Sequence, residues 1–163
     1  MTFPSSWWGA PNFTEVDTVN PIPGSGQLVG SLVQLFDGSQ AQLLKWTDSG
    51  GYVVGAAVTP VTGTSGFQVG YNVTNVGTAN TQLVYSMNDR STVALTQNQF
   101  GWGSTKGLCN PLVLASVAAG SFLVSSATTG ALRAAAAGTS LQGNIYSLVV
   151  VGGSNAQTPA VIV

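Results

Sequence analysis

From Gln27 onward the chain is cut into apolar runs of strand length, separated by turn residues roughly every 8–12 positions. Runs this short cannot supply the three or four turns of an ordinary helix, so the chain must bury its apolar groups in sheets. Gln27–Phe36 places Leu28, Leu32, Val33, Leu35 and Phe36 before Asp37-Gly38, a turn pair. Ala41–Trp46 is the next run and stops at Asp48-Ser49-Gly50-Gly51; Tyr52–Val61 follows, interrupted by Pro60. Phe67–Val76 alternates, with Phe67, Val69, Tyr71 and Val73 on one face and Gln68, Gly70, Asn72 and Thr74 on the other. Gln82–Met87, Thr92–Leu95 and Ile145–Val151 are further candidates. Ala131–Ala137 favours helix by composition, but it is short and bounded by Gly130 and Gly138, which predicts strand or turn. The expected fold is all-β: a compact sandwich, jelly roll or small barrel over residues 27–163.

Residues 1–26 differ from the rest. They hold Pro4, Pro11, Pro21 and Pro23, which block helix and remove strand donors. They also hold Phe3, Trp7, Trp8 and Phe13. Leaving each of these in water forgoes roughly 1.5–3 kcal/mol, so the segment is expected to be an extended arm that docks on its own domain or on a neighbouring subunit. The C-terminal Val161-Ile162-Val163 is expected to be paired or buried, because a bare apolar edge invites aggregation. It is a candidate to complete a sheet within an oligomer or with a partner shell.

Composition narrows the function. Charged residues make up 6% of the chain and the net charge is −1, against about 25% charged in an ordinary soluble domain. A neutral surface does little to keep copies apart, which predicts an obligate oligomer or a subunit of a larger assembly. Four cations spread over 163 residues make no nucleic-acid footprint. No run approaches the roughly 18 apolar residues of a membrane helix. Met1–Pro11 lacks the basic and apolar regions of a secretory leader. With one cysteine there is no internal disulfide, and the expectation is folding in a reducing cytoplasm. The sequons at Asn12 and Asn72 are therefore read as chance.

Chemistry-bearing residues are scarce. There is no histidine, so no His-based acid–base pair or zinc site is expected. Cys109 lacks a histidine base and reads as a buried, inert thiol. Asp37, Asp48 and Asp89 could pair as glycosidase carboxylates do, yet Asp37 and Asp48 stand where Asp supplies a turn. Gly24-Ser25-Gly26 is preceded by prolines and followed by strands, which rules out a dinucleotide fingerprint. No cofactor, metal or catalytic residue is assigned, and the chain is not expected to be an enzyme. Trp102, in Gln99-Phe100-Gly101-Trp102-Gly103, reads as a core or interface aromatic whose flanking glycines let backbones approach; the competing reading is a sugar-stacking platform.

Residues 99–143 carry an ordered set of features: Phe100-Gly101-Trp102, Gly107, Leu112–Leu114, Val117-Ala118-Ala119-Gly120, Phe122-Leu123, Ser125-Ser126, Thr129-Gly130-Ala131-Leu132 and Gly143. This segment, about a quarter of the chain, resembles a recurrent segment of tailed-bacteriophage capsid decoration (cement) proteins. Physically, Ala119-Gly120 reads as a tight turn delivering Phe122 and Val124 to one face. Thr129-Gly130 then turns the chain back so that Leu132 pairs with the Phe122–Val124 strand, and Gly143 permits a bend before Ile145.

The resemblance implies a structural virion protein, made in the host cytoplasm and bound to the outer capsid surface. Its partners would be the major capsid protein and other copies of itself, often as a homotrimer, with an arm reaching a neighbour. The expected capsid or subunit interface comprises Phe3, Trp7, Trp8, Phe13, Trp102, Val161, Ile162 and Val163. The alternative is a carbohydrate-binding or adhesin module, resting on a β scaffold with four tryptophans and an Asn/Gln/Thr-rich surface. Exposure separates the two, since a sugar site needs an open Trp ring.

Overall fold

A computed structural model describes residues 30–46, 54–60, 72–75, 85–87, 96–136 and 145–163. The arm, with Phe3, Trp7, Trp8 and Phe13, lies outside these residues, as do Asp48, Asp89, Thr92–Leu95 and Gly143. Among the described residues the chain is all-β, as the spacing of its runs requires. The strands are β1 (Leu32–Gln34), β2 (Gln40–Trp46), β3 (Ala57–Pro60), β4 (Asn72–Asn75), β5 (Tyr85–Met87), β6 (Phe100–Cys109), β7 (Leu112–Val113), β8 (Leu123–Ser125), β9 (Leu132–Ala134), β10 (Ile145–Ser147), β11 (Ala156–Gln157) and β12 (Ala160–Ile162).

They form two sheets, one of eight strands in the order β1-β2-β4-β3-β5-β6-β12-β10 with β2 also paired to β6, and one of four in the order β11-β7-β9-β8. β6 is the spine. Its first half pairs antiparallel with β2, from Lys45↔Phe100 to Gln40↔Lys106, and its last three residues pair with β12. A strand has two edges, so β1 and β4 share the other edge of β2: β1 opposite Gln40–Gln42, β4 opposite Lys45–Trp46.

Side-chain alternation along β2 and β6 builds one core. Leu43 lies opposite Trp102 and Ala41 opposite Ser104, so these side chains share a face. Ala41, Leu43, Phe100 and Trp102 pack together with Val33 against them. Lys45, opposite Phe100, carries its ammonium 6.0 Å from that ring's centroid, within reach of a cation–π attraction. On the other face Leu44 and Trp46 are also fully buried, with Gly101 opposite Leu44. The larger core joins the two sheets: Ala57, Cys109, Val113, Val117, Leu123, Leu132, Ile145, Val151 and Ala160, with Ala134 and Ile162 against it.

The turns follow their residues. Between β1 and β2, the Leu35 N–H donates to Ser39 O (2.8 Å) and the Gly38 N–H to Leu35 O (3.0 Å). Gly38 has φ +79°. This is a three-residue hairpin loop closed by glycine in the left-handed region. Asp37 serves the turn as expected: its Oδ1 accepts the Ser39 N–H at 2.9 Å and also the Ser39 hydroxyl. Gly120 (φ +75°) and Gly130 (φ +72°) close the two turns read from residues 117–132. Past Gly130, β9 pairs antiparallel with β8 through Ser125↔Leu132, Val124↔Arg133 and Leu123↔Ala134. Residues 131–136 are thus strand and coil, as the flanking glycines suggested.

Two expectations are corrected and a third is refined. Of the described part of the first run, residues 30–36, Leu32–Gln34 is strand, and Phe36 sits in the turn, fully exposed. The run from Ile145 ends as strand at Ser147, whose hydroxyl donates to Val149 O at 2.7 Å and so competes with continued pairing. Finally, the C-terminal strand is paired, as expected, but within its own chain: β12 lies between β6 and β10, antiparallel to both, so both its edges are filled.

Candidate interaction surface

The end of β6, together with β12 and β10, forms a sheet segment apolar on both faces. Its inner face contributes Cys109, Ala160 and Ile145 to the larger core. Its outer face follows from the register. Leu108 lies opposite Val161, Val161 opposite Tyr146, and Tyr146 bridges to Phe122. Directly opposed residues project to the same side, so Leu108, Val161, Tyr146 and Phe122 form one apolar row across the strands. Phe122 and Tyr146 meet edge to face, 6.2 Å between centroids at 75°, a favourable aromatic geometry.

This row faces outward. Leu108 is 48% exposed and Phe122 46%. Exposed Leu148 (43%) and Val163 (64%) follow Tyr146 and Val161 by two positions along the chain, and exposed Val149 and Val150 continue from Leu148. Lys106, two residues before Leu108 in β6, is exposed. The row and these exposed apolar residues make a candidate interaction surface, since exposed apolar groups gain from being covered by a partner.

At the Leu108 end the row meets a hollow of about 240 Å³, lined by Asp37, Leu108, Cys109, Asn110 and Pro159. Asp37 arrives there because the β1–β2 hairpin folds over β6 at Gly107. Gly107 has φ +79°, and a Cβ on it would stand 2.7 Å from both Cα and Cβ of Ser39. Phe36, next to Asp37, projects from the hairpin tip with its whole side chain exposed.

The structure sorts the expected interface residues. Val161 and Val163 belong to the outer face. Ile162, one position out of phase, packs against the core. Trp102 is 1% exposed and packs with Ala41, Leu43 and Phe100, so of the core and interface readings the structure shows the core one. Trp46 is likewise buried, so neither described tryptophan is an open sugar-stacking ring. Cys109 is buried, as expected. Among the described residues no cluster of His, Cys, Asp or Glu could hold a metal ion.

Leu108, Tyr146, Phe122, Leu148 and Phe36 escaped the sequence reading. Phe36 had a signal, since a large apolar residue beside Asp-Gly sits in a turn, and turns face water. The others had none, because strands apolar on both faces read as continuous runs with no indication of the side that stays uncovered. In comparisons with known proteins the chain matches no family model, no curated protein and no solved structure.

Proposed function

We propose that this chain is a structural virion protein, a capsid decoration protein that binds the outer surface of a tailed-phage head as an oligomer and ties neighbouring major capsid subunits together. The observation that carries the reading is the apolar row Leu108–Val161–Tyr146–Phe122, half-exposed at its Leu108 and Phe122 ends, on a chain with 6% charged residues. Such a surface suits burial against protein. Supporting it, the segment that resembles decoration proteins supplies working parts of the scaffold: Phe100 and Trp102 in one core, Gly107 under the hairpin, and Gly120 and Gly130 in the turns.

The mechanism is multivalent clamping. One small apolar contact is weak, but several linked copies engage several capsid subunits at once. Linkage raises the effective concentration, so avidity exceeds a single site's affinity by about 10²–10⁴. The scaffold's part is to hold the face rigid, since its strands are pinned by the core behind them. Residues 1–26 add a second grip, with Trp7 and Trp8 as aromatic anchors.

The test is re-addition to heads of the encoding virus assembled without this chain. The protein is expected to sediment with the heads to a fixed stoichiometry and to raise their thermal stability; failure to bind sinks the reading. Binding is expected to hold up to about 0.5 M salt, because few charges are present to be screened. A steep loss of binding with salt contradicts a neutral apolar contact. Deleting residues 1–24 is expected to leave the β domain folded, by circular dichroism, and to reduce retention on heads severalfold. Undiminished retention removes the arm from the mechanism.

A further inference from the structure

We infer that Phe36 is an anchor that enters the Leu108–Pro159 hollow of a second copy of this chain. The anchor is rigid. Phe36 opens a hairpin loop closed by the Leu35–Ser39 and Gly38–Leu35 backbone bonds and braced by Asp37 on Ser39. Ser39 in turn rests on Gly107 in β6. A braced loop has little freedom left to lose on binding. Yet Phe36 itself is fully exposed and gains nothing from its own chain.

The hollow matches the anchor in size and chemistry. It measures about 240 Å³, and an apolar cavity of about 150 Å³ already accepts a benzene ring. Leu108, Pro159 and Cys109 give it apolar walls, with Asn110 and Asp37 as its polar members. Phe36 adjoins Asp37 in the chain but does not occupy the hollow. Knob and hollow therefore lie side by side on one molecule, which makes the surface complementary to itself. Two copies can exchange knobs across a two-fold axis, or several can pass them head to tail around a ring. A net charge of −1 puts almost no repulsion between copies. The apolar row begins at Leu108, so a copy seated in the hollow also starts to cover that row.

This inference deepens the oligomer part of the proposed function and rests on it there. It is tested on the full-length chain alone, by light scattering after size exclusion over a dilution series. Wild type is expected to be an oligomer that dissociates on dilution. Phe36→Ala is expected to raise the dissociation constant at least about thirtyfold, the size of an interface hot spot, with its circular dichroism unchanged. Leu108→Glu, at a half-exposed position, blocks the hollow and is expected to do the same. An equimolar mixture of the two variants is expected to recover association, because the intact knob of one meets the intact hollow of the other. A wild type that stays monomeric at every concentration, a Phe36→Ala mass equal to wild type, or a mixture no better than its components overturns the inference. Head binding is read separately. Association lost in Phe36→Ala, with wild type indifferent to heads, upholds this contact and refutes the decoration reading; the reverse pattern does the opposite.

Discussion

Trp102→Ala is expected to cost about 3–5 kcal/mol of folding stability, the range for truncating a large buried aromatic. Trp102 is 1% exposed, sits opposite Leu43 across β2 and β6, and packs with Ala41, Leu43 and Phe100. Its removal leaves a void beside the β2–β6 pairing, the longest among the described residues of the larger sheet. Chemical denaturation followed by circular dichroism measures the effect as a lower midpoint at unchanged slope. Leu108→Ala is the control. It lies on the same strand but is 48% exposed, and is expected to stay within about 1 kcal/mol of wild type. A small effect at Trp102, or equal effects at both positions, would falsify the division of β6 into a core half and a surface half. It would also reopen the sugar-stacking alternative, which needs an accessible tryptophan.

Gly107→Ala is expected to cost about 2–5 kcal/mol, from two sources. One is backbone strain, since φ is +79° and a side chain there is disfavoured. The other is contact: the new Cβ would lie 2.7 Å from Ser39 Cα and Cβ, so the hairpin must lift. Gly38→Ala separates the two. Gly38 has the same φ, but a Cβ there meets nothing within 4 Å, so only the strain of about 1–2 kcal/mol applies. If the two variants lose equal stability, Gly107 is not a packing position. If Gly107→Ala loses more, the hairpin is displaced, and Asp37 and Phe36 shift relative to Leu108. That variant should then also self-associate less well than Gly38→Ala in the folded state.

Much of the fold was legible because it depends on local chemistry. Asp37-Gly38, Ala119-Gly120 and Thr129-Gly130 turn the chain where their residue types demand it, since aspartate supplies a nearby acceptor and glycine a positive φ. Residues 131–136 are strand and coil, as the short run between Gly130 and Gly138 suggested, since so short a gap nucleates no helix. The surface was less legible. Val161-Ile162-Val163 read as one apolar run, and which of them turns toward the core was not visible, because the alternation of a strand shows in sequence but its phase does not. Trp102 was assigned to core or interface together, since both bury an aromatic and only the neighbouring strands distinguish them.

The sequence alone decides that this chain is β, where it turns, and that its surface is nearly uncharged. Each of these follows from residue type and short-range spacing. The tertiary structure decides which apolar residues remain uncovered. β6, β12 and β10 carry apolar groups on both faces, and the second sheet packs against only one of them. That choice is made by long-range pairing: Ala160 reaches Cys109 and Phe122 reaches Tyr146 only after the chain has closed. The same closure brings the hairpin at residues 35–39 over Gly107 and sets Phe36 beside a hollow that no local pattern encodes.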